Sequence, residues 1–231
     1  VGFINLLKFK TMATIKKGLL GGVSGKVGNV VGGNWKGIDY LRILPASVAN
    51  PKTTKQLNQR TKFLRVIRFL QPLNEFVRIG FKAYAIKMSA FNAAMSYNFH
   101  HAITGTYPDY EIDYGNARIS RGQLTGGMNA NCTSPEPAKI SISWTDNTGQ
   151  GSAQSGDKAM VVVYNPITEE STMVLDAAKR MDVTAELMVP NSWSGDEVHC
   201  YLSFSLLESL ISSGGKKTIS DSLYCGAVVV S

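Results

Sequence analysis

From Tyr107 to the C-terminus, short apolar and β-branched runs alternate with turns rich in Gly, Ser, Asn and Pro. Seven such runs follow one another, at 112–124, 138–144, 159–164, 171–175, 183–189, 198–206 and 224–230. Runs of this length and spacing predict an all-β sandwich, in which each strand buries one face against the opposite sheet. Ile140, Ile142 and Trp144 alternate inward. Val198, Cys200, Leu202 and Phe204 do the same, which leaves His199, Tyr201 and Ser203 on the other face. The polar segment 147–156 reads as a mobile loop.

The N-terminal part has a different grammar. Segment 19–44 reads as a glycine-rich hairpin, with 26–31 as one arm, Gly32-Gly33-Asn34 as the turn and 35–44 as the other arm. A lone two-stranded hairpin is marginal in water, so these arms need a surface, in this chain or in another subunit. Asn50-Pro51 breaks the chain, and Thr53 or Thr54 caps the helix that follows. On that helix Phe63, Val66, Ile67 and Leu70 share one face. Lys55, Lys62, Arg65 and Arg68 gather on the other, with Phe69 out of place among them. Gln71-Pro72 ends or kinks it, and a short continuation through Leu73, Phe76 and Val77 stops near Gly80. A second apolar stripe, Tyr84, Met88, Phe91, Met95 and Phe99, marks another helix, closed by Gly105 and Pro108. The expected fold class is therefore α+β. Residues 1–17 form an extension, 18–106 a basic hairpin-plus-helices region, and 107–231 a fibronectin- or immunoglobulin-like sandwich with Trp144 as its core tryptophan.

Charge divides the chain more sharply than its overall balance of +7 suggests. Residues 1–90 hold 16 Lys/Arg against only Asp39 and Glu75, whereas 91–231 hold 8 against 15 acids. A basic half of this kind calls for nucleic acid, an anionic surface or the acidic half of a neighbouring copy. At 44% hydrophobic and 18% charged, the 231 residues suit a folded chain rather than a disordered one. No apolar run reaches the ~20 residues of a membrane-spanning helix. Residues 1–11 lack the basic start and cleavage site of a signal peptide, and Met12-Ala13-Thr14 reads as a natural start. The expected location is cytoplasmic or virion-associated rather than secreted. Cys132, Cys200 and Cys225 form no CxxC pair and read as small buried apolar residues, although Cys200 and Cys225 lie on neighbouring strands.

Several words in the chain, SGKVGN, WKGI, NPKTTKQLNQRTKF, MSAFNAAMSYN, YPDYEIDY and ISRGQL, resemble an uncharacterised family of Bacteroidota proteins known as a domain of unknown function. The resemblance runs from about Met12 nearly to the C-terminus. The NP-x-T-x-x-Q spacing from Asn50 to Gln56 is also similar to hypothetical proteins of phage and prophage gene sets. Neither resemblance implies an activity.

Motifs for chemistry are incomplete. Gly21, Gly22, Gly25 and Lys26 approach a phosphate loop, but G-x-x-x-x-G-K-[ST] would place its first glycine at Leu20 and its hydroxyl at Val27. His100 and His101 are adjacent and diverge by ~100° on a helix, so they do not clasp one metal. His199 stands alone, and no G-x-S-x-G elbow exists. Asp109, Glu111 and Asp113 alternate, as a calcium site or a carboxylate pair would, and equally as a hydrated strand edge would. We therefore expect no catalytic, cofactor or metal residues.

The expected function is non-enzymatic: a structural or assembly protein, phage-derived or cell-surface, that self-associates as a homo-oligomer or with another protein. Trp35, Tyr40 and the helix cations Lys55, Lys62, Arg65 and Arg68 would meet Glu169, Glu170, Asp196 and Glu197 of a neighbour. The alternatives are nucleic-acid binding through the same basic face, joined by Arg60, Lys16, Lys17, Lys26 and Lys36, and a carbohydrate-binding sandwich with Trp193 exposed.

Overall fold

The computed structural model describes residues 14–19, 21–35, 37–47, 50, 52–206 and 218–231, and it divides the chain into two units, Val1–Lys52 and Thr53–Ser231. Residues 1–13, Lys36 and Pro51 lie outside the described residues, as does the side chain of Trp35.

Among its described residues the first unit holds four strands, β1 (Thr14–Leu19), β2 (Val23–Val27), β3 (Val30–Trp35) and β4 (Ile38–Ile43), paired antiparallel in that order. The expected single hairpin is thus a meander. Gly32-Gly33-Asn34 is not its turn but the middle of β3. The turns fall instead after Val27 and after Trp35, where Gly37 takes φ +87°, a conformation suited to a tight hairpin. Glycine in β3 serves close approach: a Cβ at Gly32 would stand 2.0 Å from the Val23 carbonyl oxygen.

The second unit begins with α1 (Thr54–Leu70), whose cap Thr53 accepts from Gln56 N–H through its hydroxyl at 3.4 Å. The helix stops before Pro72, and α2 (Asn74–Gly80) continues as expected. Next comes α3 (Ala90–His101), capped by Ser89, which receives Asn92 N–H at 3.1 Å. Tyr84 and Met88 of the expected stripe precede this helix. A short hairpin follows, β5 (Ile103–Thr106) with β6 (Asp109–Ile112). No strand follows β6 until β7, among residues that are all described, so the run at 112–124 is corrected: Ile112 closes β6, and the rest is loop apart from an isolated bridge between Leu124 and Ser220. Buried Asn98 holds that loop with three hydrogen bonds: its side chain donates to the Ala94 and Arg118 carbonyls and accepts from Arg118 N–H.

Seven strands complete the unit: β7 (Met128–Glu136), β8 (Lys139–Thr145), β9 (Lys158–Asn165), β10 (Glu170–Lys179), β11 (Thr184–Met188), β12 (Glu197–Ser205) and β13 (Leu223–Val229). They form two antiparallel sheets, β11-β8-β7 and β10-β9-β12-β13. Between them lies one core that includes Ile140, Ile142, Trp144, Val161, Val163, Val198, Leu202 and Phe204, which makes this portion a β-sandwich.

The outer face of the four-stranded sheet is not solvated. Met160, Val162 and Tyr164 of β9 and Tyr201 of β12 pack there against Val66, Phe69, Leu70, Phe76 and Val77 of α1 and α2, with Met95 of α3 in the same cluster. β9 is therefore buried on both faces, and its sequence KAMVVVYN is apolar almost throughout instead of alternating. The division drawn at 106/107 falls inside this unit, because the helices and the sandwich share a core. Among the described residues no helix is long and apolar enough to cross a membrane.

Candidate interaction surfaces

The fourth strand of the first sheet leaves its apolar side chains in water. Every residue of β4 is exposed: Ile38 at 67%, Leu41 at 62% and Ile43 at 76% of their accessible surface, with Tyr40 at 44%. Tyr40 reaches back over β3 to Gly33, where an added Cβ would stand 2.9 Å from its hydroxyl. Asp39 is tied to the same strand through Asn34, whose side-chain amide donates to it at 2.7 Å. β4 has β3 on one side and no strand on the other among the described residues.

Helix α1 carries Lys55, Arg60, Lys62, Arg65 and Arg68 and no acidic residue. Lys55 and Arg65 are exposed and form no ion pair among the described residues. The Lys62 ammonium lies 4.8 Å from the centre of the Tyr110 ring, and Tyr110 in turn donates to Asn58 at 2.9 Å. Arg68 lies 3.8 Å from Glu169 of the same copy. Both residues were expected to face a neighbouring copy, and within one copy the β9–β10 turn carries Glu169 beside α1. Glu170 accepts the Trp193 indole N–H at 3.2 Å, Asp196 accepts from the Asn165 amide at 2.7 Å, and Glu197 stays exposed. Of the four acids, three thus have internal partners. Trp193 is fully buried, which corrects its expected exposure and removes the aromatic platform of the carbohydrate reading.

The apolar face of α1 is rotated from expectation. Val66, Phe69 and Leu70 are buried, whereas Phe63 is 52% exposed. Phe63 and Ile67 instead line an open groove of about 420 Å³ with Phe91, Met95 and Phe99 of α3. Phe69 had looked misplaced because the helix packs against the sheet on one side and lines this groove on an adjacent one.

Polar side chains converge at two places the sequence did not suggest. On the outer face of β12, His199 Nδ1 lies 2.9 Å from the Tyr224 hydroxyl, and its ring stacks on Tyr114 at a centroid distance of 3.6 Å. Tyr201 donates to the Tyr114 carbonyl at 2.9 Å. Burial holds the His199 pKa below its ordinary value and pushes that of Tyr224 up to about 12, so the cluster is neutral near pH 7. In the core, Cys132, Cys200 and Cys225 are free and buried. No group of three or more His, Cys, Asp or Glu among the described residues is arranged to hold a metal ion. Asp109 and Glu111 are exposed on β6, and Asp113 instead accepts from Asn116.

Comparison with known proteins adds a family and distant shape relatives. A family described as "Family of unknown function (DUF6266)" matches residues 22–226. No curated protein matches the chain by sequence. Among solved structures, the fibronectin type III domain of human collagen alpha-1(XX) chain is similar at 14% identity and a TM-score of 0.30, covering 47% of this chain and 88% of that domain. That of human contactin 1 is similar at 10% identity and a TM-score of 0.31, covering 48% and 83%.

Proposed function

The chain belongs to DUF6266, a family of unknown function, and on that premise we propose that it is a non-enzymatic assembly protein that self-associates through its N-terminal sheet. The observation that carries this reading is β4, six residues long and exposed throughout with its large apolar side chains outward. Contiguous apolar exposure of this kind marks interaction surfaces. A sheet whose border strand is exposed gains stability when a partner covers or extends it. The order of the seven strands β7–β13, first, second and fifth facing fourth, third, sixth and seventh, supports a fibronectin-like sandwich as its carrier. A virion or a cell surface would suit such a protein.

Light scattering across concentration and salt tests the proposal. The expected outcome is a mass that rises from one to two chain masses with concentration and persists at 0.5 M salt, roughly, where exposed ion pairs are screened. A single chain mass under every condition overturns it.

The acid-free helix α1, with Lys55 and Arg65 exposed, favours a second reading, contact with nucleic acid phosphates. Titration with duplex and single-stranded DNA over a salt series tests this. Binding that weakens steeply with salt and is lost in the Lys55→Glu, Arg65→Glu variant supports it, and salt-independent or absent binding rejects it.

A further inference from the structure

We propose that β4 is the strand by which two copies join, paired antiparallel about a two-fold axis at Leu41; this rests on the self-association reading above. The backbone decides which groups are available. Leu44 N–H donates to the Asn29 carbonyl at 2.6 Å, one step beyond the Val30↔Ile43 pair. Residues along an antiparallel strand alternate in the direction of their N–H and C=O groups. Ile38, Tyr40, Arg42 and Leu44 therefore turn theirs toward β3, and Asp39, Leu41 and Ile43 turn theirs outward. The ladder with β3 runs without a shift from Val30↔Ile43 to Trp35↔Ile38, so the open edge is regular.

The two borders of the sheet differ. β1 carries Lys16 and Lys17 in TIKKGL, and lysine is a common device against edge pairing. β4, reading IDYLRI, has no lysine, no proline and no bulge. It is the border equipped to pair.

A second copy is favoured over a foreign strand by symmetry and charge. A two-fold axis normal to the sheet pairs residues of equal parity, so that their side chains share a face. Centring on Leu41 sets it against itself, Asp39 against Ile43 and Tyr40 against Arg42, and this register uses all three outward residues of each strand. Centring on Tyr40 or Arg42 leaves one unused. Each Arg42 guanidinium then meets a Tyr40 ring, an attractive contact made twice. Leu41 meets Leu41 on the opposite face. Asp39 is already drawn to Asn34 and is not pressed on Ile43. Asp39 and Arg42 cancel within β4. Lys26 is on β2, two strand spacings away, about 10 Å, beyond the ~8 Å Debye length at physiological salt.

Cysteine cross-linking in the full chain tests the register. The three native thiols are buried, which leaves an introduced one to report. Leu41→Cys places two thiols on residues whose Cα atoms are about 5.5 Å apart, within disulfide range. Ile43→Cys places them about four residues apart along the strands, roughly 13 Å, and out of range. Oxidised glutathione accepts the two electrons and two protons as the bond closes. The expected result is a covalent dimer from Leu41→Cys at least tenfold in excess of that from Ile43→Cys, and a dimer dissociation constant at least tenfold weaker in Leu41→Lys. Self-association with equal cross-linking by both cysteines, or unmoved by Leu41→Lys, overturns the register while leaving the assembly reading standing. A chain that stays monomeric alone but is captured through Leu41→Cys by a different polypeptide overturns the second copy as occupant. A monomer at every concentration, with no capture, overturns both.

Discussion

Arg180 and Asp157, both sealed from solvent, form an ion pair at 3.0 Å at one end of the sandwich. Asp157 accepts from Nε, Asn147 and the Gly126 carbonyl from Nη1, and the Thr125 carbonyl from Nη2. The guanidinium lies 3.8 Å from the centre of the Phe204 ring, and Trp144 donates its indole N–H to the Arg180 carbonyl at 2.8 Å. One side chain thus gathers residues 125–126, Asn147 and Asp157 at the rim of the core. Arg180→Ala leaves Asp157 charged and unpaired, and the expected loss is about 3–5 kcal/mol. Urea denaturation measures it. The double variant Arg180→Met, Asp157→Leu should lose less, because no buried charge is then left alone.

Stability should fall with acid through His199. Its folded-state pKa lies below the ordinary 6.5 because burial disfavours the imidazolium, with Glu197 opposing more weakly. Between the folded and unfolded values the unfolded chain binds the extra proton, so stability rises with pH across that window. The contribution is complete above about pH 7 and is lost as pH falls from 6.5 through the lower, folded value. Urea midpoints at pH 7.5 and 5.5 should differ less in His199→Gln, which retains a side-chain hydrogen-bonding group for Tyr224 and does not titrate.

Cys200 and Cys225 should be inert in the native state. The Cys132 thiol, and then burial, raise the pKa of Cys200, burial raises that of Cys225, and the thiolate is the reactive form, whereas Cys200 lowers the pKa of Cys132. A disulfide reagent at pH 8 should modify native protein at least about tenfold more slowly than protein in urea, where all three cysteines titrate.

The helices and the sandwich should not separate. A chain of residues 107–231 would uncover Met160, Val162, Tyr164 and Tyr201, which α1 and α2 cover in the intact unit. Such a fragment should aggregate, whereas 53–231 should remain soluble and melt cooperatively. Soluble yield and circular dichroism decide between these outcomes.

What the sequence disclosed follows from which faces meet water. β8 alternates because one face is buried, so Ile140, Ile142 and Trp144 were placed correctly. β7, reading MNANCTSPE, gave no signal, since Cys132 is its one buried residue. The inward set on β12 matches, and the residues on its other face are buried as well. Tyr201 and Ser203 lie there fully buried under the helical layer, which no pattern within the strand reveals. Gly32-Gly33 read as a turn because glycine favours turns, although these glycines admit the neighbouring strands. Arg180 was missed for a related reason. A lone arginine resembles any solvated one until its partners, scattered over residues 125 to 157, are brought beside it.

The unlike borders of the first sheet bear on size. If the unguarded border is consumed by a twin, what faces outward on both flanks is the lysine-bearing strand, and nothing complementary is left to add. Growth by this route halts at a pair rather than running on into a fibre.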